Sequence, residues 1–178
     1  MDRYAIEVLG LPGVVLMENA GINAAGAVFD VLRDEFLLDE DSARVAVLCG
    51  GGNNGGDGYV IARQLLGWGV PTRVYSTKPI DGLSGDAAVN ARAWVALGQP
   101  VMLIDDAVGL TQAVEEWREV HVVVDALLGT GFVPAQRPMR DDLAAVIGAL
   151  NAMVADADAE VRGPTASENA GSRKPLFR

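Results

Sequence analysis

The chain has 178 residues, half of them hydrophobic, with 24 acidic against 14 basic side chains and a formal net charge of -10. That length and apolar content suit one domain with a sizeable core and argue against two. The acidic balance argues against nucleic acid and anionic membrane as partners, and with no Lys/Arg cluster in the chain, any bound phosphate would be held by backbone dipoles.

Pro12-Gly13 opens the first predicted helix, residues 14–36, in which Val14, Leu16, Met17, Ala20, Ala24, Ala27, Val28, Leu32 and Phe36 form a broad apolar stripe at helical spacing. Strands and helices then alternate. Val45–Cys49 reads as the first strand. Residues 59–68 read as a helix stopped by Gly69 and Pro71. A strand is predicted at 72–75, a helix at 83–97 ended by Gly98, a strand at 101–104, a helix at 107–117, a strand at 121–124 and a helix at 139–150. This rhythm predicts an α/β fold: a Rossmann-like, doubly wound, mostly parallel sheet between helix layers, with strand order 3-2-1-4.

Strands one and four are then neighbours at the switch point, where such sheets bind ligands beyond the carboxyl ends of their strands. Two glycine-rich segments converge there. Residues 50–58 contain six glycines in nine positions, together with Asn53, Asn54 and Asp57. Such a density costs backbone entropy and predicts close approach of amide groups to an anion at a helix N-terminus. The second segment is Asp125-Ala126-Leu127-Leu128-Gly129-Thr130-Gly131-Phe132. Asp125 ends an apolar strand, where a carboxylate is expensive unless it meets a donor or a cation. Its bland reading is a turn cap. For Asp57 the bland reading is the N-cap or first-turn dipole partner of the following helix.

Residues 50–55 satisfy G-x-G-x-x-G, but strand two ends in Tyr75-Ser76-Thr77 without the acid that a nicotinamide dehydrogenase uses on ribose. No Gly-Lys-Ser/Thr follows, so this is not a P-loop. Cys49 reads as a core residue. His121, the single histidine, falls at the far end of its strand, which argues against Cys/His catalysis. Trp68, Trp94 and Trp117 read as core or rim, and Glu115-Glu116 as a solvated face. The lone cysteine excludes an intrachain disulfide and fits a reducing, cytoplasmic setting. Met1-Asp2-Arg3-Tyr4 opens no secretory signal, and no apolar run of membrane-spanning length is expected.

Three motifs, in order, resemble the NAD(P)H-hydrate epimerase family (YjeF N-terminal domain type): Gly10-Leu11-Pro12-Gly13 with Leu16-Met17-Glu18-Asn19-Ala20-Gly21; residues 50–58 with Tyr59-Val60-Ile61-Ala62-Arg63-Gln64-Leu65; and residues 122–131. The resemblance covers residues 1–151 as one domain. It implies a Rossmann-like α/β/α domain that interconverts the R and S epimers of NADHX and NADPHX at C6 of the nicotinamide ring, a metabolite repair serving an NAD(P)HX dehydratase. It further implies nucleotide contacts from Asn53, Asn54, Gly55, Gly56 and Asp57, and a second substrate loop of Gly129, Thr130, Gly131, Phe132, Val133, Pro134 and Ala135. Asn54 and Asp125 would be ligands of one potassium ion per subunit, with Asp125 as the catalytic group. A homodimer is carried as an expectation.

The family continues into a strand ending in an Asp-x-Pro-Ser-Gly turn that supplies a further potassium ligand and an acid. Here the sequence reads Met153-Val154-Ala155-Asp156-Ala157-Asp158-Ala159-Glu160. The domain therefore reads as incomplete at its C-terminal end, with residues 152–178 an atypical, disordered tail in which Asp156 is the candidate to replace the lost acid in part. A catalytically impaired nucleotide- or partner-binding protein of the same fold, and a nicotinamide-dependent oxidoreductase, stand as the alternatives.

Overall fold

The computed structural model describes residues 2–133, 135 and 138–162. Among these, β1 (Val45–Cys49), β2 (Thr72–Ser76), β3 (Val101–Leu103) and β4 (Val122–Ala126) form one parallel sheet in the order β3-β2-β1-β4. The helices are α1 (Asp2–Glu7), α2 (Gly13–Asp34), α3 (Asn53–Gly67), α4 (Gly85–Ala96), α5 (Ala107–Trp117) and α6 (Asp141–Arg162), with a short 3-10 turn at Ile80–Gly82. The doubly wound α/β architecture and its strand order are those expected from the alternation of elements.

The sheet separates two apolar clusters. On one face Val45, Val47 and Cys49 of β1 meet α2, α3 and α4 through Leu32, Tyr59, Leu65 and Trp94. On the other, Ala46, Leu48 and Tyr75 meet α5 and α6 through Trp117 and Val146. Every residue of β1 is buried, as expected of a central parallel strand covered on both sides.

By length and composition α2 could cross a membrane. It also carries Glu18, Asp30 and Arg33, and its buried positions Met17, Gly21, Ala25 and Leu32 recur at helical spacing. A β-carbon on Gly21 would lie 2.4 Å from Val60 of α3, which brings the two helices unusually close. The interface is fastened by Glu18, which pairs with Arg63 and accepts from Gln64 Nε2 at 2.8 Å. Burial of a side chain such as Leu32 stabilises this packing by about 1.5–3 kcal/mol.

Most element ends shift by a residue or two from the sequence reading and α1 was not expected; three shifts are larger or fall on the predicted site. Helix α3 starts at Asn53, not at residue 59, so Gly55, Gly56 and Gly58 are helical and buried. Glycine disfavours helix interiors, but a β-carbon on Gly56 would meet Met17 Sδ at 2.6 Å, and one on Gly58 would meet Cys49 Sγ at 2.8 Å. These glycines are spacers that let α3 lie against its neighbours. Strand β4 runs to Ala126, which places Asp125 within the strand opposite Leu48. Helix α6 continues to Arg162, so residues 152–162 of the expected tail are helical; residues 163–178 lie outside the described residues.

Candidate functional site

Beyond the carboxyl ends of β1 and β4, where the winding of such a sheet reverses and opens a crevice, the walls are mostly backbone. After Cys49 the chain turns through Gly50, Gly51 and Gly52 into α3. The Gly50 amide donates to the Ala126 carbonyl at 3.0 Å. A β-carbon on Gly50 would lie 1.9 Å from the Leu127 carbonyl oxygen, and one on Gly55 would lie 1.9 Å from the Gly50 carbonyl oxygen. The two loops therefore touch main chain to main chain, an approach open only to glycine.

Gly52 caps α3 and has no side chain to offer its first turn. Gly56 N–H donates to the Gly52 carbonyl at 3.1 Å. The amides of Asn53, Asn54 and Gly55 precede it and have no intrahelical acceptor, as in any first turn. With the helix dipole they present partial positive charge to the crevice. Asp57 is not the cap that the sequence suggested: it sits a full turn inside α3, half-buried.

Asp125 and Asn54 share one turn. Asp125 is exposed at the end of β4, and its Oδ1 accepts the Leu127 amide at 2.9 Å. This self-bonded turn fixes the direction of the carboxylate. Its second oxygen accepts nothing from the described residues. Asn54 Nδ2 donates to the Leu128 carbonyl at 3.2 Å, which leaves Oδ1 as an acceptor. A β-carbon on Gly129 would lie 3.2 Å from Asn54 Cβ. The start of the second glycine segment is thus packed on the first turn of α3. Thr130, Gly131 and Ala135 are exposed, Phe132 is half-buried and its amide donates to the Gly129 carbonyl at 3.1 Å, and Val133 is largely exposed. Pro134 lies outside the described residues.

The carboxylate and amide oxygens of Asp125 and Asn54 are hard donors, of the kind that hold alkali and alkaline-earth cations rather than zinc or copper. Among the described residues no group of three or more His, Cys, Asp or Glu side chains gathers to hold a metal ion. A cation here would complete its shell with main-chain carbonyls and ligand oxygens.

Other polar groups lie elsewhere. His121 Nδ1 accepts the Arg44 amide at 3.1 Å, at the amino end of the sheet. Cys49 is fully buried, and burial pushes its thiol far above its ordinary range. Burial, then the nearby Cys49 thiol, pushes the Tyr59 phenol up as well. Glu116 is not simply a solvated acid: it accepts from Arg73 Nη1 at 2.7 Å and from the Tyr75 hydroxyl at 2.5 Å. Asp156 does not replace the expected acid. It lies on α6 at 3.6 Å from Arg118, which caps the end of α5 beside the start of β4. That is the end of the sheet away from Asp125.

Sequence reasoning missed two basic residues at the rim. Thr77 N–H donates to the Cys49 carbonyl at 3.1 Å, so the segment after β2 runs beside the glycine turn. Lys78 follows, and a β-carbon on Gly51 would meet its Cδ at 2.8 Å. Arg140 Nη2 reaches the Thr77 carbonyl at 3.1 Å from the other side of the chain. Lys78 was visible at the end of strand two; the return of Arg140 depends on tertiary structure.

This geometry can be set beside known proteins. The family model described as "YjeF-related protein N-terminus" matches residues 13–162. The NAD(P)H-hydrate epimerase of Rhodopirellula baltica is 39% identical over 154 residues, covering 85% of this chain and 56% of that protein. The bifunctional NAD(P)H-hydrate repair enzyme Nnr of Moorella thermoacetica is 34% identical over 151 residues, covering 85% of this chain and 27% of its own length. The chain thus spans about half the length of the single-function relatives it matches. The crystal structure of yeast ynu0 superposes with a TM-score of 0.67 at 27% identity, covering 84% of this chain and 60% of that one. With the family model matching most of its length, this chain belongs to the YjeF-related protein N-terminus family.

Proposed function

We propose that this chain epimerises NADHX and NADPHX at C6 of the nicotinamide ring. The observation that carries the reading is the shared turn of Asp125 and Asn54, set against the amide-lined start of α3. The activity named for the Rhodopirellula baltica relative supports it.

The ring carries a hydroxyl on C6, next to nitrogen. Donation of the nitrogen lone pair breaks the C6–O bond and leaves a planar iminium. Water adds to the opposite face and loses a proton, giving the other epimer. A group that gives a proton to the leaving hydroxyl and takes one from the incoming water serves both halves. Asp125 takes that role: one oxygen is held by the Leu127 amide, and the other is available. The free amides of α3 hold the pyrophosphate and fix the ring's position. Asn54 and Asp125 would hold the potassium ion, which when bound supplies fixed positive charge for nucleotide oxygens. The product passes to a dehydratase that accepts one epimer, a pairing consistent with the bifunctional relatives.

The test resolves the two NADHX epimers chromatographically over time. The wild-type chain should accelerate interconversion. Asp125→Ala should return it to the uncatalysed rate while circular dichroism stays unchanged. An unaltered rate in the variant refutes the assignment.

A second reading is nucleotide binding without turnover. It is favoured by the helical course of residues 153–160, where the family resemblance implies a further acid. Calorimetric binding of nucleotide with an uncatalysed epimerisation rate would select it.

A further inference from the structure

We propose that Lys78 reads the 2′-phosphate of the adenosine ribose, so that this site prefers the phosphorylated dinucleotide, NADPHX, to NADHX. The inference rests on the epimerase reading and adds the substrate's adenosine half to it. In a doubly wound sheet the pyrophosphate lies at the helix after the first strand, and the adenosine ribose lies toward the end of the second. Asp125 on β4 receives the nicotinamide. The strand order β3-β2-β1-β4 then sends the adenosine across β1 to β2, two strand spacings or about 10 Å away.

At that place a site for an unphosphorylated ribose offers a carboxylate to the 2′-hydroxyl, whereas a site for the 2′-phosphate offers a cation. Here β2 ends in Ser76, followed by Thr77 and Lys78, and no acid stands among them. Ser76 is turned inward: it is buried, and its Oγ donates to the Lys78 carbonyl at 2.7 Å. It is not placed to serve as the ribose acceptor.

Lys78 is held against the glycine turn. Its stem runs between Gly51 and Gly82: β-carbons built there would lie 2.8 Å from its Cδ and 3.0 Å from its Cε. Arg140 braces the backbone behind it by donating to the Thr77 carbonyl, but its charge is matched by Asp142. The Lys78 ammonium has no ion pair or hydrogen bond among the described residues. In a chain of net charge -10, an unmatched cation held beside the amide-lined crevice has a phosphate as its natural partner. Lysine acts on phosphate as a compact point charge.

The experiment is isothermal titration calorimetry of the full chain with NADP+ and with NAD+, at low and high salt, on the wild type, Lys78→Gln and Lys78→Arg. The wild type should bind NADP+ about tenfold more tightly than NAD+ at low salt, and the ratio should shrink as salt screens the charge. Lys78→Gln should bring the ratio close to one with NAD+ affinity unchanged, while Lys78→Arg should keep the preference. Binding of both nucleotides without discrimination, or a preference that survives Lys78→Gln, overturns this proposal and leaves the epimerase reading standing. Binding of neither nucleotide overturns both.

Discussion

A methyl group added at Gly50 would meet a carbonyl oxygen of the opposite loop at 1.9 Å, and one added at Gly52 would meet nothing within 4 Å. Neither residue has a positive φ, so a difference between the two alanine variants isolates crowding. Gly50→Ala should lower the free energy of unfolding by about 1–3 kcal/mol, the range typical of overpacking, and should remove epimerase activity by parting the loops. Gly52→Ala should lower stability by less than about 1 kcal/mol, through the poorer N-cap of α3 alone, and leave activity nearly intact. Urea unfolding with the chromatographic assay measures the two effects, and equal outcomes would mean that the close contact carries nothing. The glycine run was legible as a special place in the sequence, but its role was only half legible. Its first three glycines make the turn, as composition suggested. Gly55, Gly56 and Gly58 belong to α3 instead, because tertiary contact overrides their poor helix propensity. Asp125 was singled out as a carboxylate ending a Val-Val-Val run, where burial would be costly; it is exposed instead, so that cost is not what places it there. Its bond to the Leu127 amide depends on how the chain turns, which spacing alone does not show.

Between elements, two buried tryptophans make different contributions. Trp94 of α4 donates its indole N–H to the Pro100 carbonyl at 3.0 Å and ties the helix to the segment entering β3. Trp117 of α5 packs edge-on against Tyr75, and its indole nitrogen is buried without a hydrogen-bond partner among the described residues. Replacement by phenylalanine removes a useful bond in one case and an unsatisfied donor in the other. Trp94→Phe should therefore cost about 1–2 kcal/mol more than Trp117→Phe in urea unfolding; equal losses would show that the Pro100 bond contributes nothing net. Both tryptophans were legible as core or rim from their places near helix ends. The length of α6 was not. Large apolar residues thin out after Leu150, which resembles the edge of a domain, yet the Ala-rich stretch from 152 to 159 favours helix by its low side-chain entropy cost. Helical propensity prevailed over the weak apolar stripe.

Across the whole molecule, buried protons set the alkaline limit. Cys49, ordinarily titrating near 9.0, and Tyr59 and Tyr75, ordinarily near 10.0, are all pushed up, by burial first in each case. The native state holds these protons more tightly than the unfolded chain does. Their stabilising contribution is complete below about pH 9 and diminishes as pH rises through the folded-state values. The urea midpoint should therefore fall from pH 9 upward, with a steeper decline above pH 10. Cys49→Ala should flatten the first part of that decline, and a midpoint constant to pH 11 would refute the account. At this scale the sequence was most informative, because the β-α alternation, the buried first strand and right-handed winding leave few other topologies for a parallel sheet.

The direct seating of Gly50 on Leu127, with the Gly50 amide bonded to Ala126, has a mechanical outcome. At this seat main chain meets main chain with no side chain to rotate and absorb a displacement, and beside it the Asn54 side chain ties α3 to the Leu128 carbonyl. If the crevice breathes to admit or release its cargo, both walls must part together, in one concerted event. Their amide protons should then exchange with deuterium at a common rate, slower than the exposed tip at Thr130 and Gly131, and should be slowed in step once nucleotide is bound.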